Sequence, residues 1–172
     1  TEIQNIQIIR NDTNLGFSKA NNLGAQKAQS EFLLIINPDS EFEGTQNLVE
    51  LCNWLKNHPQ CGLVGPQIIE PGKHRPTSPK RHYPEEKRLR FTRSIATLPG
   101  EIAWLLGACL LMRKTLFNAI GGFDPDYFLY GEDTDLCLRI RQAGFTIDYC
   151  QNAHVTHVGG ASAASLPSFE KY

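Results

Sequence analysis

The chain has 172 residues, of which 41% are hydrophobic and 20% are charged, and its formal net charge is −1. These values are typical of a globular protein, and the length allows one domain with a buried core, predicted to span residues 1–172. No apolar run approaches the roughly 18 residues that a membrane-spanning helix needs.

The five cysteines are odd in number, widely spaced and mostly in apolar surroundings, and no Cys-x-x-Cys pair occurs. This pattern excludes a disulfide framework and a cysteine zinc site. The thiols are therefore interpreted as small buried hydrophobic groups in a reducing compartment.

The first third of the chain alternates predicted strands with a helix. Ile6–Arg10 is predicted as a short strand, followed by a polar turn and a helix from about Ser18, with Ser18 as its N-cap. Phe32–Ile36 is an unbroken apolar run, typical of a strand that is buried on both faces.

A second helix and a third strand follow. Thr45 is predicted to cap a helix that Asn57-His58-Pro59 ends, and Cys61–Ile69 is a strand interrupted at Gly65-Pro66. The β-α-β-α-β order predicts an α/β fold with a mainly parallel sheet and helices on both of its faces.

The remaining elements are an apolar stretch, two helices and two strands. The apolar stretch covers Ile102–Met112, and a short helix is predicted over Thr115–Ile120. Another helix carries Leu136, Ile140 and Ala143 on one face and ends at Gly144. The last strand candidates are Thr146–Cys150 and His154–Val158.

Residues 71–100 form a proline-rich segment without periodicity and are predicted to be a long basic loop. Eight basic and two acidic residues between Lys73 and Arg93 give this part a charge of +6. Such a loop suits a phosphate-bearing substrate or a peripheral contact with an anionic membrane, and it is equally compatible with a solvated loop. Binding of nucleic acid is disfavoured, because the segment lacks an interleaved aromatic platform.

Three carboxylates are clustered where the helix around Leu136 begins. Glu132, Asp133 and Asp135 fall in its first turn, where the helix dipole favours negative charge. Stabilisation of the helix alone does not explain the aromatic-rich segment Phe-Asp-Pro-Asp-Tyr-Phe-Leu-Tyr-Gly at residues 123–131, which leads into the helix. The carboxylates and this segment together favour a functional site at this edge of the domain.

Asp39 and two histidines are further candidate site residues, located after or within predicted strands. Asp39 comes two residues after the apolar run of Phe32–Ile36, where a carboxylate suits Mg²⁺ or Mn²⁺, although Asn-Pro-Asp-Ser is also a common turn sequence. His154 and His157 should point to opposite faces of one strand, so they are not expected to bind the same metal.

Two segments allow both a binding and a structural interpretation. Residues 14–24 offer amide side chains and backbone N–H groups at a helix start, suitable for a nucleotide or phosphate, but they match neither Gly-x-Gly-x-x-Gly nor Walker A spacing. Trp104, close to Gly107 and Ala108, is either a sugar-stacking platform or a core residue.

Taken together and in this order, these segments resemble the inverting nucleotide-sugar glycosyltransferases of family 2, in particular their rhamnosyltransferase-like and galactofuranosyltransferase-like branch. The resemblance implies the GT-A fold, a three-layer α/β/α sandwich around a mainly parallel mixed sheet. The matching elements are Asn14-x-Gly16-Phe17, Asn21-Asn22-x-Gly24, Asn37-Pro38-Asp39, Trp104-x-x-Gly107-Ala108, Gly121-Gly122-Phe123-Asp124, Glu132-Asp133-x-Asp135-Leu136-x-x-Arg139 and His157-x-x-Gly160-x-Ser162.

The resemblance also implies roles for individual residues. Asp39 and His157 would bind Mg²⁺ or Mn²⁺ on the donor diphosphate, with Asn37 in place of the family's first acid. Asp133 would be the general base, with Glu132 beside it as a second catalytic residue. Residues implied to bind the nucleotide donor are Asn14, Gly16, Phe17, Asn21, Asn22 and Asn37, and those implied to bind substrate are Trp104, Gly107, Ala108 and Asp124.

The implied function is transfer of a sugar, with inversion, from a dTDP- or UDP-linked donor to a glycan or lipid-linked acceptor. It would serve cell-surface polysaccharide synthesis in the cytoplasm or at the inner face of the membrane. Because Ile6–Arg10 corresponds to the second strand of the family, the sequence is expected to lack the family's first β-α unit. The alternative is a non-catalytic domain with the same fold that binds nucleotide sugars or interacts with another protein.

Overall fold

A computed structural model of the chain describes residues 6–84, 95 and 97–158. The described part is an α/β domain of four helices and five strands. The elements in chain order are α1 (Gly16–Lys27), β1 (Phe32–Ile36), β2 (Ser40–Glu41), α2 (Gln46–Asn57), β3 (Cys61–Ile69), β4 (Cys109–Arg113), α3 (Lys114–Ala119), α4 (Glu132–Gln142) and β5 (Thr146–His157).

The five strands form one mixed sheet in the order β1-β4-β3-β5-β2. The longest pairing, β3 with β5, is parallel, whereas β4 lies antiparallel between β1 and β3, and β2 is antiparallel to β5. The strands β1, β3 and β5 therefore share one direction, as the β-α-β pattern predicted. Three of the four pairings are nevertheless antiparallel: the later strand β4 enters between β1 and β3 and accounts for two of them, and the short strand β2 on β5 is the third.

Helices cover both faces of this sheet, so the predicted three-layer architecture is confirmed. Alternate residues of a strand point to opposite faces, and neighbouring residues accordingly belong to different core clusters. Leu63 packs in the cluster that contains Leu136 and Ile140 of α4, whereas Val64 packs with Leu51 and Leu55 of α2.

The predicted first strand is wrong. Residues 6–10 adopt no strand in the structure, and Ile6 and Ile8 are 70% and 73% exposed. A period-2 apolar pattern forms a strand only where a neighbouring strand takes up its backbone hydrogen bonds, and none of the strand pairings in the described part of the chain involves residues 6–10.

Two details of α1 and β1 also differ from the prediction. The helix starts two residues before Ser18, which is buried inside it, and the N-cap position is taken by Leu15 without a side-chain hydrogen bond. β1 is not buried on both faces: Leu33 and Ile35 are buried, and Ile36 is 36% exposed. As the outermost strand of the described sheet, β1 is less covered than a central strand.

The other elements match the prediction closely. α2 begins after Thr45, although its side chain makes no capping hydrogen bond, and β3 runs without a break through Gly65-Pro66, with a register shift after Pro66. The two last strand candidates are one strand, β5. All five cysteines are free, and four of them are buried.

The predicted basic loop lies partly outside the described residues, which omit 85–94 and 96. Near its described ends, Arg141 of α4 donates hydrogen bonds to the carbonyl groups of Leu98, Pro99 and Gly100 and to the Tyr83 hydroxyl. These contacts fix the residues on either side of the undescribed part to α4. Among the described residues, no helix combines the length and apolar character needed to cross a membrane.

Candidate active site

A pocket of about 150 Å³ lies at the end of the sheet where β1 stops and α4 begins. It brings together side chains that are far apart in sequence, including both carboxylate motifs and the histidine at the end of β5. Its lining residues are Phe17, Asn37, Pro38, Asp39, Leu106, Gly107, Ala108, Leu129, Tyr130, Glu132, Asp133 and His157.

Asp39 and His157 form a pair on one wall of the pocket. Backbone pairing places them together, because Ser40 of β2 lies opposite His157 of β5 and the Val158 amide donates to the Asp39 carbonyl at 3.0 Å. The His157 Nε2 is 3.3 Å from the Asp39 Oδ1 and 3.5 Å from the Asn37 Nδ2. His154 lies on the other face of the strand near Glu43, so the predicted separation of the two histidines is confirmed.

The atoms of this pair fit a divalent metal ion. The Asp39 Oδ1 and the His157 Nε2 face each other across 3.3 Å, a separation that allows both atoms to bind one metal ion, and the Asp39 Oδ1 is buried without a hydrogen-bond partner. Carboxylate oxygens suit Mg²⁺ and Mn²⁺, and a neutral imidazole nitrogen is a common metal ligand. Among the described residues, no group of three or more acidic, histidine or cysteine side chains could hold a metal ion.

The Asp133 carboxylate is buried at the start of α4 and held by three donors. The Gly107 amide donates to its Oδ2 at 3.0 Å, and the Thr134 amide and hydroxyl donate to its Oδ1 at 2.7 and 3.3 Å. Burial raises the pKa of Asp133 above its usual value, while the bonds from Gly107 and Thr134 act in the opposite direction. The carboxylate is therefore fixed in orientation and has an increased affinity for a proton.

Glu132 lies next to Asp133 and is also buried, with 6% of its surface exposed. Its Oε2 has no hydrogen-bond partner. Burial is the largest cause that raises the pKa of Glu132, and the neighbouring charge of Asp133 raises it further. The pocket therefore holds two adjacent carboxyl groups that both bind protons more tightly than usual.

The dipeptide Gly107-Ala108 connects the two walls of the pocket. While the Gly107 amide binds Asp133, the Ala108 carbonyl accepts hydrogen bonds from the Asn37 amide at 3.0 Å and the Ser40 hydroxyl at 3.2 Å. These two residues therefore fix the position of the Asn37-Pro38-Asp39 turn relative to the start of α4.

Two backbone N–H groups at the predicted donor-binding helix start have hydrogen-bond partners within the protein. The Gly16 amide binds the Asn14 side chain at 3.0 Å, and the Phe17 amide binds the Phe128 carbonyl at 2.8 Å. A Cβ on Gly16 would lie 2.6 Å from that same carbonyl oxygen. In this conformation, Gly16 and Phe17 hold the loop that leads into α4. Of these two residues, only Phe17 lines the pocket.

Six residues predicted for the site do not line the pocket, and Gly16, described above, is one of them. Asn14 is exposed, and Asn21 lies beside a second cavity between α1 and β1. The Asn22 side chain binds the amide and carbonyl groups of Phe123, at 2.9 and 2.8 Å. The remaining two bind other groups: the Trp104 indole donates to the His82 carbonyl, and the Asp124 carboxylate accepts from the Asp126 backbone amide.

Four lining residues were not singled out from the sequence, namely Pro38, Leu106, Leu129 and Tyr130. Pro38 and Leu106 lie within the motifs Asn37-Pro38-Asp39 and Trp104-x-x-Gly107-Ala108. Their position in these motifs was the signal that could have identified them as lining residues. Leu129 and Tyr130 belong to the aromatic approach to the carboxylates, where no periodicity distinguishes a lining residue from an exposed one.

The fold is that of the GT-A class of glycosyltransferases. The structure matches that of GalNAc-T7, solved with UDP, GalNAc and Mn²⁺, with a TM-score of 0.68 at 18% identity, over 94% of this chain and 33% of the other. Residues 2–171 match the model of "Glycosyltransferase like family 2". The chain belongs to glycosyltransferase family 2.

Relatives of assigned activity include two rhamnosyltransferases. The chain is 28% identical to N-acetylglucosaminyl-diphospho-decaprenol L-rhamnosyltransferase of Mycobacterium tuberculosis, over 95% of this chain and 62% of the relative. It is 26% identical to the O-antigen chain rhamnosyltransferase WbaN of Salmonella anatum, over 77% of this chain and 42% of the relative. The chain thus spans about three-fifths of the first relative's length.

Proposed function

We propose that the protein transfers a sugar, with inversion, from a nucleoside-diphosphate sugar to an acceptor hydroxyl. The observation that carries this proposal is the shared pocket, which joins a fixed, buried carboxylate to a pair of unsatisfied metal-type ligands. The first group suits removal of a proton, and the second suits a diphosphate leaving group.

In the proposed reaction, the Asp133 carboxylate takes the proton of the acceptor hydroxyl. That oxygen forms a bond to the anomeric carbon as the bond from this carbon to the nucleoside diphosphate breaks on the opposite side, so a single displacement inverts the centre. The raised pKa of Asp133 favours this role, because a base is most effective when its pKa approaches the working pH.

Asp39 and His157 would hold a divalent metal ion at the donor diphosphate, with Asn37 beside them. Such an ion offsets the negative charge that develops on the leaving diphosphate. The two residues would contribute an oxygen and a nitrogen ligand, and the pairing of Ser40 with His157 holds them next to each other in the pocket that also contains Asp133.

We propose a dTDP- or UDP-linked donor, with L-rhamnose as the first sugar to test, and a lipid-linked or glycan acceptor. The support is the similarity to two rhamnosyltransferases, one of which is named for an acceptor attached to decaprenol. A role in cell-surface polysaccharide synthesis at the cytoplasmic face of the membrane is part of the same proposal.

The test is calorimetric titration of the chain with UDP and with dTDP, each with and without Mn²⁺. Binding of one nucleotide that requires Mn²⁺ is expected, and it would identify the nucleotide to use in transfer assays. Transfer of the sugar would then separate an enzyme from a non-catalytic binding domain. Absence of binding by either nucleotide would contradict a working donor site in this chain.

A further inference from the structure

Tyr130 has a backbone conformation that non-glycine residues rarely adopt. Its φ angle is +69°, and it is the only non-glycine residue with a positive φ in the part of the chain that the structure describes. It lines the pocket and is still 44% exposed. Strained backbone conformations of this kind occur mainly at functional sites, where the surrounding structure enforces them.

The contacts around Tyr130 enforce this conformation. On its N-terminal side, the Phe128 carbonyl is bound by the Phe17 amide at 2.8 Å. On its C-terminal side, Gly131 also has a positive φ, +91°, and packs so closely that a Cβ there would lie 2.9 Å from the Tyr127 ring. The residue is thus held at the rim of the pocket from both sides.

Tyr130 lines the same pocket as Asp133 and lies close to it in the chain. It comes three residues before Asp133, and the hydroxyl that reacts must lie within hydrogen-bond reach of that carboxylate. The ligands for the diphosphate, Asp39 and His157, come from the β2–β5 pairing instead. Tyr130 is therefore next to the place where the acceptor must bind.

We propose that the Tyr130 ring is the platform on which the acceptor's sugar ring stacks, and that it contributes to acceptor specificity. This inference rests on the proposed function. An aromatic ring offers a flat apolar surface at a low cost in conformational entropy, and a tyrosine hydroxyl can also donate a hydrogen bond at a partly wet rim. The ligand class is a hexopyranose with an exposed apolar face, attached to a lipid or a glycan.

The strained backbone at Tyr130 has a second explanation, which the test must distinguish from the proposed stacking of a sugar. The Tyr130 amide is one of the groups that favour the charged form of Glu132, so the positive φ could serve only to direct this amide. Tyr130→Gly removes the ring and keeps a residue that adopts positive φ readily. The variant therefore keeps the backbone function and tests the ring alone.

The experiment is an NMR titration of the chain with octyl N-acetyl-β-glucosaminide, with and without dTDP and Mn²⁺. Tyr130→Gly is expected to weaken binding of this acceptor probe about tenfold, the size expected for one aromatic contact. Tyr130→Phe should stay within about twofold of the wild type. Phe128→Leu removes an exposed aromatic ring from the same loop, outside the pocket lining, and is the matched control.

The outcomes separate this inference from the function on which it rests. Equal binding of the probe by the wild type and Tyr130→Gly would overturn the stacking role and leave the proposed function intact. Loss of Mn²⁺-dependent dTDP binding in Tyr130→Gly would also overturn it, because the ring would then act on the donor. If the wild type itself does not bind the probe, the proposed acceptor class and the stacking role both fail.

In a transfer assay, the same variant is expected to raise the KM for the acceptor with little change in kcat. A residue that only supports the loop would lower kcat, because Glu132 and Asp133 would move with it. This split between KM and kcat is the readout that a structural role would not produce.

Discussion

The Gly107 backbone amide donates a 3.0 Å hydrogen bond to the Oδ2 of Asp133, and no side chain intervenes between them. A Cβ on residue 107 would lie 3.4 Å from the Asp133 Cβ, at the limit of ordinary van der Waals contact, so residue 107 packs directly against the Asp133 side chain. Since the adjacent Ala108 carbonyl holds the turn that carries Asp39, one short segment positions both carboxylates. Four sets of substitutions test the site residues and the glycines of α1.

Asp133→Asn should abolish transfer and preserve donor binding. The asparagine side chain has nearly the same size but cannot accept the proton of the acceptor hydroxyl, so the transfer rate is expected to fall by about 10²- to 10⁴-fold. The control is Asp126→Asn, which changes an exposed carboxylate outside the pocket lining. Nucleotide binding by calorimetry should be unchanged in both variants. Persisting transfer in Asp133→Asn would remove this residue as the base.

His157→Ala should weaken nucleotide binding only when Mn²⁺ is present. The substitution removes a buried imidazole with an unpartnered nitrogen, and the ring's other nitrogen lies 3.3 Å from the Asp39 carboxylate. His154→Ala is the matched control, because this imidazole lies on the other face of the same strand and is 40% exposed. Calorimetry of both variants with and without Mn²⁺ gives the comparison. An equal loss in the two would assign the effect to the strand and not to the metal.

Glu132→Gln should change how stability depends on pH. Burial raises the pKa of Glu132 above its usual value of 4.5, so between that value and the raised one the folded state binds more protons than the unfolded state. The free energy of unfolding therefore falls as the pH rises through this interval. Glutamine has no charge to bury, so the variant should lose this part of the decrease. Denaturant titrations from about pH 4 to pH 8 measure it, and an unchanged pH profile would contradict the raised pKa.

Gly16→Ala and Gly24→Ala should have opposite effects on stability. At Gly16 the φ of +74° disfavours alanine, and so does the Phe128 carbonyl oxygen, which would lie 2.6 Å from the alanine Cβ. We expect a loss of more than about 1 kcal/mol there. Gly24 lies in the same helix with open space around a Cβ, so alanine should stabilise the protein by roughly 0.5–1 kcal/mol. Thermal unfolding of both variants is the measurement. A destabilised Gly24→Ala would show that helix propensity does not decide this site.

The sequence by itself determined the elements whose pattern is local. Phe32–Ile36 and Cys61–Ile69 are strands with the predicted bounds, because continuous apolar runs between turn residues specify a strand without reference to the rest of the chain. The start of α4 at Glu132 follows in the same way from the carboxylates in its first turn. The motifs and their order along the chain also indicated the family, because each motif is a short run of residues that can be recognised in the sequence alone.

Only the tertiary structure decided what depends on contacts between distant residues. The placement of β4 between β1 and β3 set the antiparallel pairings, and residues 6–10 formed no strand. The pocket gained Tyr130 and excluded Asn22, which bonds to Phe123 instead. Strand neighbours and side-chain partners depend on packing across the whole chain, and a local pattern of residue types does not contain that information.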